Sequence, residues 1–230
     1  MSQRLRITFS AVGPLKYVAH LDMMRTWERA IRRSGLPLAY TQGFSPHARI
    51  ALASPLPVGV VGLRELMDVW LDPPAEPAEA ARRLRGAMPP GLDIVEVEEV
   101  SNALPSLQSS LRSARYEVLL PAARGEAAAV RERVDALLAL ETLDWEEERG
   151  DRTRRYDLRA TIDAIAAKER NALLLLTMDL SLAEGRTGRP AQVLRALGLD
   201  PDALEVVRTL VRTRAPAETR ASSGRNGVEP

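Results

Sequence analysis

One order of local patterns constrains this chain more than any other feature. Residues 4–9, Arg4-Leu5-Arg6-Ile7-Thr8-Phe9, alternate polar and apolar side chains, the mark of a half-buried strand. Gly13-Pro14 interrupts it, and a helical pattern follows over 17–35, closed by Gly35 as a C′ residue with Pro37 just beyond. Short extended runs at 38–40 and 49–53 flank a Gly/Pro-marked loop at 43–46. Residues 65–71 alternate again, 79–88 are helical until Pro89-Pro90-Gly91, and 92–97 read as a strand. The order is β-α-β-β-α-β, the split βαβ or ferredoxin-like arrangement, with an antiparallel sheet and both helices on one face. The other face is left open, and RNA-binding domains often use it.

The second half offers the same order. Strands are expected at 115–120, 144–148, 155–162, 172–182 and 204–212, with helices at 126–139 and from Pro190, an N1 proline, to Leu199. The expectation is an α+β chain of two tandem ferredoxin-like domains. These span 1–100 and 114–214, with a linker at 101–113 and a disordered tail at 215–230 that is almost devoid of apolar residues. Trp27 and Trp70 are expected in the first core, and Trp145, beside three glutamates, half exposed.

The most particular residues fall between Tyr17 and Gly59, which include both histidines of the chain. On a helical wheel of about 100° per residue, Tyr17, His20, Met24, Trp27 and Ile31 share one side, with Leu21 at its margin. Arg25, Arg29 and Arg32 share another, with Asp22 and Arg33 at its edge. After the helix comes Gln42-Gly43-Phe44-Ser45-Pro46-His47-Ala48-Arg49, then Pro55-Leu56-Pro57-Val58-Gly59. Overall net charge is +1, but residues 1–50 carry +6 and residues 51–110 carry −5. Positive charge is therefore concentrated on the unusual stretch.

The chain has no cysteine, which excludes disulfides, thiolate metal sites and iron–sulfur ligation by its own residues and fits a cytoplasmic protein. His20 and Asp22, two apart on a helix, point differently and make a poor chelating pair, so no metal site is expected. Met1-Ser2-Gln3-Arg4 leads into a strand pattern, so no signal peptide is expected. No apolar run approaches the ~20 residues that cross a bilayer.

At Ala19-His20-Leu21-Asp22 with its following arginines, at residues 42–46 and at Leu56-Pro57-Val58-Gly59, the sequence resembles the radical-SAM-linked protein family; the match is dense across Arg4 to Asp68, and the half-length pattern suits the chain to about Arg214. Ala19 stands where members of that family usually carry serine. The first strand ends Phe9-Ser10-Ala11-Val12-Gly13, where many carry a lysine. The resemblance implies a partner, a radical SAM protein with a cobalamin-binding-like domain, and a setting that involves RNA. The partner would carry the iron–sulfur cluster and S-adenosylmethionine; this chain, lacking the cysteines, would carry no cofactor.

Three functions follow. The first is an accessory RNA-binding module, with tRNA or rRNA as the expected class. In it Arg25, Arg29, Arg32, Arg33 and Arg49 meet phosphates, and Gln42 and Phe44 complete the site. Phe44 stacks on a base in this reading; in the structural alternative it plugs the loop into the core. The second is a metal-independent endoribonuclease in which His20 and His47 are acid and base and Asp22 assists. The third is a docking module whose arginine face meets an acidic protein.

Overall fold

The computed structural model describes residues 2–121, 126–149, 152–170 and 173–214. Eleven strands and four α-helices are present among them. In the first half they are β1 (Gln3–Ala11), α1 (His20–Arg33), β2 (Ile50–Leu52), β3 (Val61–Leu71), α2 (Pro77–Ala87) and β4 (Leu92–Val100). The second half holds β5 (Leu111–Pro121), α3 (Glu126–Ala139), β6 (Asp144–Arg149), β7 (Arg152–Asp157), β8 (Ile162–Arg170), β9 (Leu173–Ala183), β10 (Arg186–Thr187), α4 (Pro190–Ala196) and β11 (Val206–Thr213). The chain is thus a mixed α+β protein built on one large, mostly antiparallel sheet.

In the first half the strands lie in the order β4-β1-β3-β2, all antiparallel. In the second they lie β11-β5-β9-β8, again antiparallel, with β10 also on β9. The halves join where β11 runs parallel to the start of β3, with Val207 beside Val61 and Arg208 beside Gly62. The register repeats between halves. Arg6 faces Asp68 and Ile7 faces Met67 across β1 and β3; Arg115 faces Asp179 and Tyr116 faces Met178 across β5 and β9.

Strand alternation sorts the side chains. Leu5, Ile7, Phe9, Met67, Val69 and Leu71 pack with Met23, Trp27, Ile31, Ala80 and Leu84 in one core. Tyr116, Val118, Leu176, Met178 and Leu180 pack with Val130, Val134, Val193 and Leu194 in the other. Trp27 is fully buried, edge-on to Phe9 with ring centroids 4.9 Å apart.

Several elements depart from the sequence expectation. The helical pattern begins three residues late: Gly13–Tyr17 is a 3-10 turn, and α1 starts at His20 after the N-cap Ala19. Its buried residues are Met23, Trp27, Ala30 and Ile31, so the apolar stripe is rotated and leaves Tyr17 and His20 exposed. Trp70 is not in the core. It lies on the opposite face of the sheet, under Arg49 at 4.8 Å and Arg4 at 5.3 Å, and donates its Nε1–H to Asn102. β6 and β7 pair as a separate two-stranded sheet, and the strand beside β9 is β8, with three Ala and a charged Lys-Glu-Arg end. These residues have weak strand propensity and suit an edge position, so alternation alone does not reveal them.

The segment expected as a linker is packed. The carbonyls of Leu104 and Pro105 accept from Arg4, Gln108 donates to Leu52, and Leu107 is buried in the second core. Residues 111–113 already belong to β5. The expected tail at 215–230 lies outside the described residues.

Candidate nucleic-acid interface

α1 presents its arginines outward, as the wheel requires. Arg25, Arg29 and Arg32 are all exposed. Arg25 pairs with Asp22 at 2.9 Å, an exposed i,i+3 contact that is weak in water. No carboxylate among the described residues pairs with Arg29 or Arg32. Arg33 is differently used: it donates at 2.5 Å to the Ala87 carbonyl at the end of α2, where a cation meets unsatisfied helix carbonyls.

The loop that follows is exposed throughout residues 40–47. Its base is pinned by Tyr40 pairing with Ala48, by the Thr41 amide donating to the His47 carbonyl, and by the His47 amide donating to Thr41 Oγ1. Gly43 takes a positive φ of 129° at the bend, and Phe44 projects fully into solvent. The plug reading of Phe44 is therefore wrong, because no core atom covers the ring. Gln42 and Arg49 line a wide groove of about 690 Å³ with Ser2, Tyr40, Thr41 and Asp72. Arg49 is partly committed there, bonded to Ser2 Oγ at 2.8 Å and stacked on Trp70.

The two histidines do not meet. His20 stands at the sheet end where β3 begins, lining with Phe9, Ala11, Leu15 and Glu65 a cavity of about 20 Å³, room for a single water. The loop carrying His47 is anchored at the other end, where Ala39 bonds Trp70 and Asp72 bonds Pro37. Five residues of β3 separate Glu65 from Trp70, roughly 17 Å at the strand rise. General acid and base for one phosphodiester must both lie within hydrogen-bond reach of it. By the same distance, the first turns of α1 and the Phe44 loop form two neighbouring surfaces of one half, not one closed pocket.

The Pro-Leu-Pro-Val-Gly stretch serves the junction between the halves. Arg208, fully buried, donates to Glu65 through Nε at 2.7 Å and again through Nη2, and its other donors reach the Ser54 and Pro55 carbonyls at 3.2 Å. Tyr116 Oη accepts from the same guanidinium at 3.4 Å. Burial works against the Arg208 charge, but the adjacent Glu65 carboxylate outweighs it and raises the pKa further. Burial also pushes the Tyr116 phenol up. Gly59, at φ 87°, turns the chain so that its amide bonds the Lys16 carbonyl at 2.7 Å. Glu65 and Arg208 escaped the sequence reading, yet each sits on the apolar phase of its strand, with Met67, Val69 and Leu71 or with Val206. Two opposite charges each out of phase are a readable sign of a buried pair.

These features define a mixed α+β protein with an arginine-bearing helix and an exposed aromatic loop on one half. The chain belongs to a family of uncharacterised proteins conserved in bacteria, DUF2344, whose model matches residues 4–190. No curated protein matches it. Among solved structures it is similar to an unknown protein from Galdieria sulphuraria, at 13% identity over 94% of this chain and 100% of that one, with a TM-score of 0.27. It is similar also to a putative glycine cleavage system transcriptional repressor, at 9% identity over 94% and 99% of the two chains, with a TM-score of 0.26. At such TM-scores neither likeness bears on fold or function.

No group of three or more His, Asp or Glu among the described residues is placed to hold a metal ion. Nor is any described helix long and apolar enough to cross a membrane.

Proposed function

We propose that this chain is a non-catalytic RNA-binding module of two tandem ferredoxin-like units, residues 1–100 and 114–214, that serves a separate radical SAM protein in the cytoplasm. The strand orders β4-β1-β3-β2 and β11-β5-β9-β8 support the division into two like units. The observation that carries the RNA reading is the pairing of unneutralised Arg29 and Arg32 on α1 with a Phe44 ring wholly in solvent on the same half. A solvated ring is free to stack, and a base offers a π-face whatever its sequence. Guanidiniums supply the sequence-independent phosphate attraction. The radical SAM partner rests on the family resemblance alone.

The test is RNA binding across a salt series. Wild type binds small RNA with an affinity that falls as salt rises, and Arg29→Ala/Arg32→Ala lowers the slope by about 0.7 per lost contact. Salt-independent binding, or a slope untouched by the double change, contradicts the proposal.

A second reading, protein docking, is favoured by Tyr17 and Val58, each 65% exposed on one groove with Pro57. It accounts for how the partner is held. Co-purification with the radical SAM protein that survives nuclease treatment and is lost in Tyr17→Ser/Val58→Ser supports it. Co-purification abolished by nuclease leaves RNA as the bridge.

A further inference from the structure

The sheet face opposite the helices carries an arginine-bracketed aspartate in each half, with both arginines from β1 in the first and one each from β5 and β11 in the second. Asp68 is bracketed by Arg4, at 2.9 Å through Nε, and Arg6, also at 2.9 Å. Asp179 is bracketed by Arg115 at 2.9 and 2.7 Å and by Arg212 at 2.8 Å. In the first half the chain covers its own bracket: the Leu104 and Pro105 carbonyls each accept from Arg4 at 3.0 Å, and Arg4 is 2% exposed. No described segment does this in the second half. There the Arg115 and Arg212 side chains are 39% and 32% exposed. Asp179 and Arg212 line an open groove of about 810 Å³ with Arg112, Ser113, Asp163, Arg186 and Arg214.

The groove keeps spare positive charge. Hydrogen bonds from Arg115 and then Arg212 outweigh burial and hold the Asp179 carboxyl below its usual range, so the bracket stays ionised. Asp179 uses Nη1 of Arg212, which leaves Nε and Nη2 of that groove-lining side chain for another acceptor. Arg186 leans on Asp163 and Ser181, at 3.3 Å from each. Arg112 and Arg214 are exposed and have no side-chain partner among the described residues.

We propose that this groove binds the phosphodiester backbone of RNA, as a second contact surface on the face of the sheet opposite the α1 arginines; the proposal rests on the RNA reading above. The position of Arg4 is held by Ser113 in the second half, and phosphate oxygens would meet the half-exposed Arg212 and the exposed Arg112 and Arg214 there. Arginine forks match phosphate geometry. The lining supplies no aromatic and no apolar residue larger than Ala164 and Ala183, so contact is to backbone and blind to sequence. A small-molecule site would be mostly apolar and enclosing. A protein partner would bring an apolar interface centre, for which the groove has no counterpart.

The faces follow from the alternation. Arg115 and Asp179 alternate with Tyr116 and Met178 of the helix-covered core, as Arg6 and Asp68 alternate with Ile7 and Met67. Glu65 and Arg208, one from each helix-covered side, meet at the junction, so both sets of helices share one side of the sheet. RNA that touches both surfaces must pass around an edge.

The experiment is fluorescence anisotropy with a mixed-sequence single-stranded RNA over a salt series, using the full chain. Arg112→Ala/Arg214→Ala is expected to lower the salt slope by about 1.4, two contacts at about 0.7 each, with the unfolding midpoint unchanged. The same drop is expected in an Arg29→Ala/Arg32→Ala background. If Arg112→Ala/Arg214→Ala binds as wild type does while Arg29→Ala/Arg32→Ala is weakened, the groove proposal falls and the RNA reading stands. If wild type shows no salt-dependent RNA binding, both fall. If the groove change abolishes binding of polyglutamate and leaves RNA binding intact, the groove belongs to an acidic protein and the proposal is overturned.

Discussion

Glu65 and Arg208, 143 residues apart, form a buried ion pair that closes the seam between β3 and β11. A buried pair is worth little against a well-packed apolar replacement, but breaking it by half is expensive, because the remaining charge has no water. Arg208→Met is therefore expected to cost about 3–5 kcal/mol in urea unfolding. Glu65→Leu/Arg208→Met should recover most of that loss. A single change costing well under 1 kcal/mol would show that the seam is held by other contacts.

The same seam gives an alkaline signature. Burial raises the Tyr116 phenol above its ordinary value of 10.0. The folded state then holds its proton at a pH where the unfolded state has released it. Stability is fully present below about 10 and is lost as pH climbs from there towards the folded-state pKa. Tyr116→Phe is expected to flatten that alkaline decline in the unfolding midpoint; an identical decline in the variant would place its origin elsewhere.

Ala19 leaves α1 without a side-chain cap, although its φ of −67° and ψ of 155° are those of an N-cap. A serine hydroxyl there reaches an orphan amide of the first turn. Ala19→Ser is expected to stabilise the protein by about 1 kcal/mol, read from the denaturant midpoint at unchanged slope. No gain, or a loss, would mean that the N-terminus of α1 is already satisfied.

Trp27 and Phe44 should separate folding from binding. Trp27 is fully buried against Phe9, so Trp27→Ala is expected to cost about 3–5 kcal/mol. Phe44 touches no core, so Phe44→Ala should change stability by no more than about 0.5 kcal/mol. It should still weaken RNA binding by about 1–3 kcal/mol. An unfolded Phe44→Ala protein, or one that binds RNA as wild type does, would remove the stacking role.

Much of the fold was legible because alternation and Gly/Pro punctuation are local signals. β1, β3, β4, β5 and β9 all lie where the pattern placed them, with boundaries a few residues off. The start of α1 departs from the wheel because Tyr17 continues the pattern while Pro14 and the 3-10 turn end it. β8 carries no strand signature, because its alanines and its Lys-Glu-Arg end suit an edge. Trp70 lies outside the core its size suggests, because two guanidiniums and Asn102 accommodate its ring and N–H there. The candidate residues can be named from the sequence but their geometry cannot: nothing local in the sequence reveals that His20 and His47 stand at opposite ends of β3, or that Arg33 is spent on α2.

The central claim, that RNA lies across α1 and the Phe44 loop, is tested most directly by ultraviolet crosslinking of the protein to RNA and mass mapping of the crosslinked peptides. The account predicts RNA-bearing peptides that contain Phe44 and the Arg25–Arg32 segment of α1. Crosslinks confined to other surfaces, or no crosslinked RNA at all, would contradict it.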